Sequence, residues 1–387
     1  MGEWKIMRLG DVIQTNTDSY SEKEKWAFVN YLDTGSITKN FIDEIQLIDL
    51  RSEKLPSRAK RKVKHNSIIY STVRPNQLHY GIIKEQPEHF LVSTGFTVID
   101  VDETSANADY LYFWLAQDSV VEHLQSIAEQ SVSAYPSIKA TDIENLEINL
   151  PPLEVQEQIA SLLVKLDKKI HQNRMINNNL QQQAQAIYQQ MFIDNPDSNW
   201  EAGTLSDIAN ITMGQSPSGS SYNENGNGTI FFQGRAEFGF RFPSIRLYTT
   251  EPKRMACEND TLMSVRAPVG DLNVAHRDCC IGRGLAAIHS KNNHQSFVHY
   301  TMFSLKKQLD VFNGEGTVFG SINRNALNEM SILIPSDETL DEFESIVAPI
   351  DAAIRNNYDE ICRLEQLRDS LLPKLMSGEL DVSAIDL

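Results

Sequence analysis

SIKATDIENLEINLPP (137–152) and SINRNALNEMSILIPS (321–336) are two versions of one stretch, and each opens onto a long helical pattern. Residues Ser137 to Phe192 align with Ser321 to Met376 without a gap, at a constant offset of 184. An internal repeat of this length decides the architecture before any single motif does. In each copy a short alternating run (Leu146, Ile148, Leu150; Met330, Ile332, Ile334) ends in proline. That reads as a strand stopped by Pro151 or Pro335. Upstream the likeness is looser but persists. Trp4-KIMRLGDV resembles Trp200-EAGTLSDI, and SIIYSTVRP (67–75) resembles TLMSVRAP (261–268). STGFTVI (93–99) and GRGLAAI (282–288) follow as glycine-containing, strand-like runs. The order is globular unit, long helix, globular unit, long helix.

The helices carry a heptad. Ile159, Leu163, Leu166, Ile170, Asn173, Asn177, Leu180, Ala184, Ile187 and Met191 alternate steps of four and three. The same offset gives Phe343, Val347, Ile350, Ile354, Asn357, Ile361, Leu364, Arg368, Leu371 and Leu375. A surface helix rarely holds period 3.5 over four heptads, so the pattern predicts a coiled coil. Asn173, Asn177 and Asn357 interrupt the seam. In an antiparallel pair Asn177 falls opposite Asn357, and a buried asparagine pair fixes register at a cost in stability. The alternative is that these amides simply reach water. Pro349 and Pro373 predict a kink or break in the second helix. The Asn/Gln-rich tract from Gln172 to Gln190 keeps the heptad, so it reads as the outer face of a helix and not as disorder.

Composition narrows the function. Four cysteines in 387 residues, none in a CxxC pair, argue against a disulfide scaffold or a zinc knuckle. No stretch approaches 18 uninterrupted apolar residues, so a membrane span is not expected and the cytoplasm is the expected location. The formal net charge is −17, with five acids and no base between Ser336 and Ala348 and more acid at Glu379, Asp381 and Asp386. Phosphate-loop, nucleophile-elbow, zincin and dinucleotide patterns are missing. Phe312-Asn-Gly-Glu-Gly316 spells FxGxG, a methyltransferase-like pattern, but no [ND]PP[YF] loop accompanies it, so it reads as a loop. His289, His294 and His299 step by five, which suits neither helix nor strand face; they are expected at the surface and not on a metal.

Recognition residues remain. Arg51 to His65 reads RSEKLPSRAKRKVKH, seven basic residues against Glu53 alone. Arg58, Lys60, Arg61, Lys62 and Lys64 are therefore candidates for phosphate contacts, which give affinity without reading bases. A solvated charged loop is the plain alternative. Arg74 and Arg266 occupy matched positions after strand-like runs, each close to a proline (Pro75, Pro268), with Asn76 and Gln77 just beyond the first. Arginine there could bond guanine in bidentate fashion or serve an internal ion pair. The loops around Met213-GQSPSGSS and Phe231-FQGRAEFG add Gln215, Ser216, Gln233 and Arg235, and Arg283 follows Gly282. Being loop-borne, these could equally be turn chemistry.

The whole chain resembles a specificity (S) subunit of a type I restriction–modification system. The resemblance is carried by LPPLEVQEQIASLLVKLDKKI (150–170) and IPSDETLDEFESIVAPIDAAI (334–354). It extends through QAIYQQMF (185–192) and RDSLLPKLMSGEL (368–380). The recurrent pattern of target-recognition domains appears as Ser67-IIYSTVRP and Asp260-TLMSVRAP. The entry to the second helix, ETLDEFESIV, is more acidic than the family form.

The resemblance implies an α+β chain: two mixed α/β target-recognition domains, two long helices forming an antiparallel coiled coil, and a pseudo-twofold repeat. The expected boundaries are 1–150 and 194–335 for the recognition domains, and 151–193 and 336–387 for the helices and tail. It implies double-stranded DNA with a bipartite target as ligand, and two modification (methyltransferase) subunits and restriction (ATP-dependent translocase and nuclease) subunits as partners. S-adenosylmethionine, ATP and Mg are expected on those partners, with no cofactor on this chain and no catalytic residue in it. A 40-residue helix spans ~60 Å, against ~34 Å per turn of duplex. The implied mechanism is a ruler, and a heptad-sized insert in Gln181–Gln190 is expected to lengthen the gap. Two rivals stand beside it: a coiled-coil scaffold without DNA contact, and a methyltransferase-linked protein with its own activity.

Overall fold

The computed structural model describes residues 4–131, 135–314 and 320–382. The chain forms two compact units, Met1–Arg174 with Asp359–Leu387, and Met175–Tyr358. The division falls within both long helices, Leu153–Tyr188 and Asp337–Met376.

In the first unit an antiparallel sheet runs in the order Ile13–Thr15, Phe96–Val101, Ile68–Ser71, Tyr80–Ile82. All four residues of Ile68–Ser71 are buried. Ile68, Ile69 and Tyr70 run without polar alternation, as a strand covered on both faces requires, and Ser71 donates its buried hydroxyl to Val73 O at 3.0 Å. A second sheet is ordered Gln46–Asp49, Phe28–Leu32, Phe90–Ser93, Ala59–Arg61, with its central pair parallel. Lys5–Arg8 pairs Glu147–Leu150, whose alternating exposure keeps Ile148 and Leu150 in the core. The helices Ala108–Leu115 and Asp118–Glu129 close that core. Asn107 caps the first of them by accepting from Tyr110 N at 3.0 Å.

The second unit repeats the plan. Its antiparallel sheet is Ala209–Met213, Leu285–Ser290, Thr261–Ser264, Leu272–Val274. The other sheet is Tyr222–Asn223, Leu247–Thr249, Thr229–Phe232, Cys279–Ile281, Met255–Ala256, again with one parallel pair. Glu201–Thr204 pairs Ser331–Ile334. Among the described residues the second unit adds the strand Tyr222–Asn223, and the first unit adds a small hairpin, Ile37–Thr38 with Phe41–Ile42.

Helix pairing is antiparallel in each unit. In the first, Arg368 Nη1 donates to Asp167 at 2.8 Å and Asn173 Nδ2 to Glu360 at 2.7 Å, so rising numbers meet falling ones. In the second, Asn357 meets Asn177, and the Tyr188 and Phe343 rings lie 5.9 Å apart. Every heptad position named above is buried or half-buried.

The expected break in the second helix does not occur. Asp337–Met376 continues through Pro349 and Pro373. Pro349 and Ser345, whose carbonyl loses its donor, are both exposed, so water can satisfy that oxygen. The seam residues Phe343, Val347, Ile354 and Leu375 are fully buried. At roughly 1.5–3 kcal/mol per large apolar side chain, their burial exceeds the ~3 kcal/mol a proline costs. The first helix widens into a π-helical turn at Gln189–Asp194, which carries Phe192 into the second core.

Candidate nucleic-acid interface

In the second unit, four loops press together at one end of the sheets. A Cβ on Gly214 would stand 2.1 Å from the Gly282 carbonyl, and one on Gly282 would stand 2.7 Å from that of Gln233. Only glycine permits such approach. The loops are also bonded: Gln215 N donates to Ile281 O at 3.0 Å, Gly282 N to Phe232 O at 2.8 Å, and Val265 N to Gly284 O at 2.9 Å. Gln215, Ser216, Gln233, Arg235, Arg266 and Arg283 are thereby gathered from four separate segments. All are exposed except Ser216, which is half-buried and whose Oγ accepts from Arg283 N at 3.3 Å. Asp271 holds the Arg235 guanidinium at 2.6 Å. Arg266 and Arg283 have no carboxylate partner among the described residues. The end therefore offers free guanidinium forks beside amide groups, the donor and acceptor types that match base edges.

The first unit builds the same corner with other side chains. Three pairs of backbone bonds fix the correspondence. Thr72 N reaches Gly95 O as Val265 N reaches Gly284 O, and Ile138 N reaches Thr72 O as Ile322 N reaches Val265 O. Arg74 N reaches Pro136 O as Ala267 N reaches Gly320 O. Arg74 and Arg266 are consequently not matched. Arg74 corresponds to Ala267, while Arg266 bridges Ser321 as Val73 bridges Ser137. The repeated Val-Arg pair hides a shift of one residue, although Ser71 and Ser264, and Pro75 and Pro268, keep the true offset. Arg74 is exposed, sits at φ +48°, and lies 5.5 Å over the Tyr135 ring. The single turn Pro75–Gln77 that follows exposes Asn76 and Gln77.

The basic run divides by use. Lys62 is paired with Glu24 at 2.7 Å and lies over Trp26, and Lys64 is 3.6 Å from buried Asp100. Arg61 is half-buried, and its Nε has no hydrogen-bond partner among the described residues. Burial holds its guanidinium below the ordinary pKa. Arg58 and Lys60 are exposed, and Arg58 O accepts from Thr94 N at 2.8 Å, beside Gly95. Arg58 and Arg74 thus join the crowded corner, whereas Lys62 and Lys64 turn to internal carboxylates.

Three residues of this corner carried no recognisable pattern. A Cβ on Gly95 would meet Thr34 Cγ2 at 2.8 Å, and Asp33 accepts from Tyr31 Oη at 2.8 Å. Burial pushes the Tyr31 phenol up to about 12, which keeps it a donor. Thr94 is the third. The signal that would have found them is Gly95, once paired with Gly284.

On the helices, Asn357 Nδ2 donates to Asn177 Oδ1 at 2.8 Å and Asn177 Nδ2 to Ile354 O at 3.1 Å. Asn173 and Asn177 are both buried. The histidine expectation needs correcting. His289 is exposed against Asp260 and His294 half-buried against Asp341, but His299 is only 3% exposed. It lies on Gln295–Ser304, a helix apolar on several faces, where spacing by five does not imply the surface. Among the described residues no group of three or more His, Cys, Asp or Glu could hold a metal. Glu315 and Gly316 of the FxGxG pattern, and Asp386 of the acidic tail, lie outside the described residues.

The family signature described as "Type I restriction modification DNA specificity domain" matches residues 1–182 and 197–366. The chain belongs to that family. It is 29% identical to a Methanocaldococcus jannaschii chain assigned as the MjaX type I restriction enzyme specificity subunit, over 98% of this chain and 94% of that one. It is 23% identical to the HindI specificity subunit of Haemophilus influenzae, over 98% and 100%. The crystal structure of a type I restriction–modification S subunit from M. genitalium superposes with a TM-score of 0.61, at 15% identity and 96% coverage of each chain. That last likeness concerns the fold. No described helix of this specificity chain is long and apolar enough to cross a membrane.

Proposed function

We propose that the chain is the non-catalytic DNA-reading component of a cytoplasmic type I restriction–modification complex. Each unit reads one half of a bipartite, gapped duplex target through its glycine-crowded corner. In the first unit the readers are Arg58, Arg74, Asn76 and Gln77, with Lys60 and Arg61 toward the phosphates, while Lys62 and Lys64 hold internal carboxylates. In the second they are Gln215, Ser216, Gln233, Arg235, Arg266 and Arg283. The paired helices set the gap and dock two modification subunits, with Asn173, Asn177 and Asn357 holding the register. Restriction subunits join through them. S-adenosylmethionine, ATP and Mg act on those partners and not on this chain.

One observation carries this reading: the same two-sheet fold occurs twice, each time with a loop corner rich in arginine and amide side chains. Sequence is read by such side chains against base edges, while lysine and arginine on phosphates only position the duplex. Genome-wide mapping of methyl-adenine with and without this gene tests it. A gapped two-part motif should lose its modification on deletion. Retention of every such motif would reject the proposal.

A further inference from the structure

In each unit a single loop runs from the crowded corner to the long helices. In the second unit it leaves the strand Thr229–Phe232, passes Gln233 and Arg235, and reaches Phe242 before the strand Leu247–Thr249. Phe242 is 3% exposed and packs with Val274 and Ile354. Its ring is 4.8 Å from Tyr358, and the Arg355 guanidinium lies 5.1 Å over it. In the first unit the loop leaves Phe28–Leu32, passes Asp33 and Thr34, and reaches Phe41 before Gln46–Asp49. The Phe41 ring is 6.2 Å from His171, and the Arg174 guanidinium lies 5.4 Å over it.

These are the same place in the repeat. His171 and Arg355 stand at the offset of 184, as do Arg174 and Tyr358. The preceding residues agree as well. Asn40 Oδ1 accepts from Ile82 N at 2.9 Å and Arg241 O from Val274 N at 2.8 Å, and Ile82 and Val274 end the matched strands Tyr80–Ile82 and Leu272–Val274. The loops themselves have no likeness: TGSITKNF (34–41) faces RAEFGFRF (235–242). Two unrelated loops thus place a phenylalanine, clasped by a guanidinium, on one turn of helix. Arg241 adds a buried ion pair to Asp351, while at the matched position Asp167 pairs with Arg368 of the facing helix.

We propose that Phe41 and Phe242 are positioning residues that lock each reading loop to its own stretch of the helices, and so hold the recognition corner at a fixed place along the ruler. They touch no base; they act through Asp33 and Thr34, and through Gln233 and Arg235. The inference rests on the gapped-target reading above. If the aromatic clasp is loosened, half-site bases stay the same and the gap loses definition.

The test is methyl-adenine mapping in cells expressing the whole complex with wild-type chain, Phe41→Ala, Phe242→Ala or Phe242→Leu. Wild type should modify a single gap length. Phe41→Ala and Phe242→Ala should raise modification at gaps one base pair longer or shorter by about tenfold relative to the native gap. Half-site consensus should not change, and Phe242→Leu should recover part of the discrimination. Phe41 is half-buried, so its alanine variant tests the idea even if Phe242→Ala fails to fold. Modification that falls equally at every gap would reduce both residues to packing and overturn the inference. A wild-type complex that shows no gapped motif would overturn the underlying reading, and this inference with it.

Discussion

His299 is enclosed by partners that dictate its proton. Arg241 can only donate, so His299 Nε2 accepts from its Nη1 at 2.6 Å and the ring proton sits on Nδ1, 3.1 Å from Thr261 Oγ1. Burial first, and then the Arg241 charge, hold its pKa well below 6.5. The unfolded chain takes up this proton below about pH 6.5 while the folded chain does not, so stability is full above that pH and falls below it. The slope approaches ~1.4 kcal/mol per pH unit. Urea denaturation at about pH 7.5, 6.5 and 5.5 should show the loss, and His299→Gln should flatten it. An equally steep decline in the variant would assign it to other groups. Nothing in the spacing of the histidines announces this site, because Arg241 and Asp351 arrive from a loop and a helix far away in sequence. For the same reason the basic residues that look alike in sequence divide into exposed side chains and partners of the chain's own carboxylates. Glu24 and Asp100 claim Lys62 and Lys64, and no pattern around Arg51–His65 shows it.

At the scale of the element, the heptads were legible because a paired helix repeats its environment every two turns and tolerates no insertion that breaks the phase. That is why 56 residues align at one offset. The strands were harder to place, since loops between them changed length and the offset drifted. Within one strand end the repeated Val-Arg pair alone sets Arg74 against Arg266, and the backbone bonds move that match by one residue. Pro349 misled in the opposite sense, because local propensity yields to a buried seam. The asparagine pair can be measured directly. Asn177→Leu leaves the Asn357 amide without its acceptor and should cost about 1–3 kcal/mol, more than the double variant Asn177→Leu, Asn357→Leu costs. A double-mutant cycle by chemical denaturation should give a coupling of about 1 kcal/mol between the two amides. Strictly additive costs would mean that each amide reaches water on its own.

For the whole molecule, the repeat imposes a condition on how the ruler can be lengthened. Gln181–Gln190 looks free in sequence, being polar and low in complexity, yet Ala184 within it is fully buried and Tyr188, just before the π-turn, packs on Phe297. An insert there would tear the helix from its recognition fold. The compact units divide at 174/175 and 358/359, between seam positions of both helices. Seven residues added at each of these two places keep the heptad phase and the antiparallel pairing on either side. They also keep Phe41 on Arg174 and Phe242 on Tyr358. At 1.5 Å per residue the pair of inserts adds ~10 Å, so the modified motif should gain up to about three base pairs of gap at 3.4 Å each. Both half-sites should read as before, because no reading loop has moved on its own helix. Methyl-adenine mapping decides between the outcomes: a longer gap with unchanged half-sites supports a ruler built from the helices, while an unchanged gap would place the spacing in the partners instead.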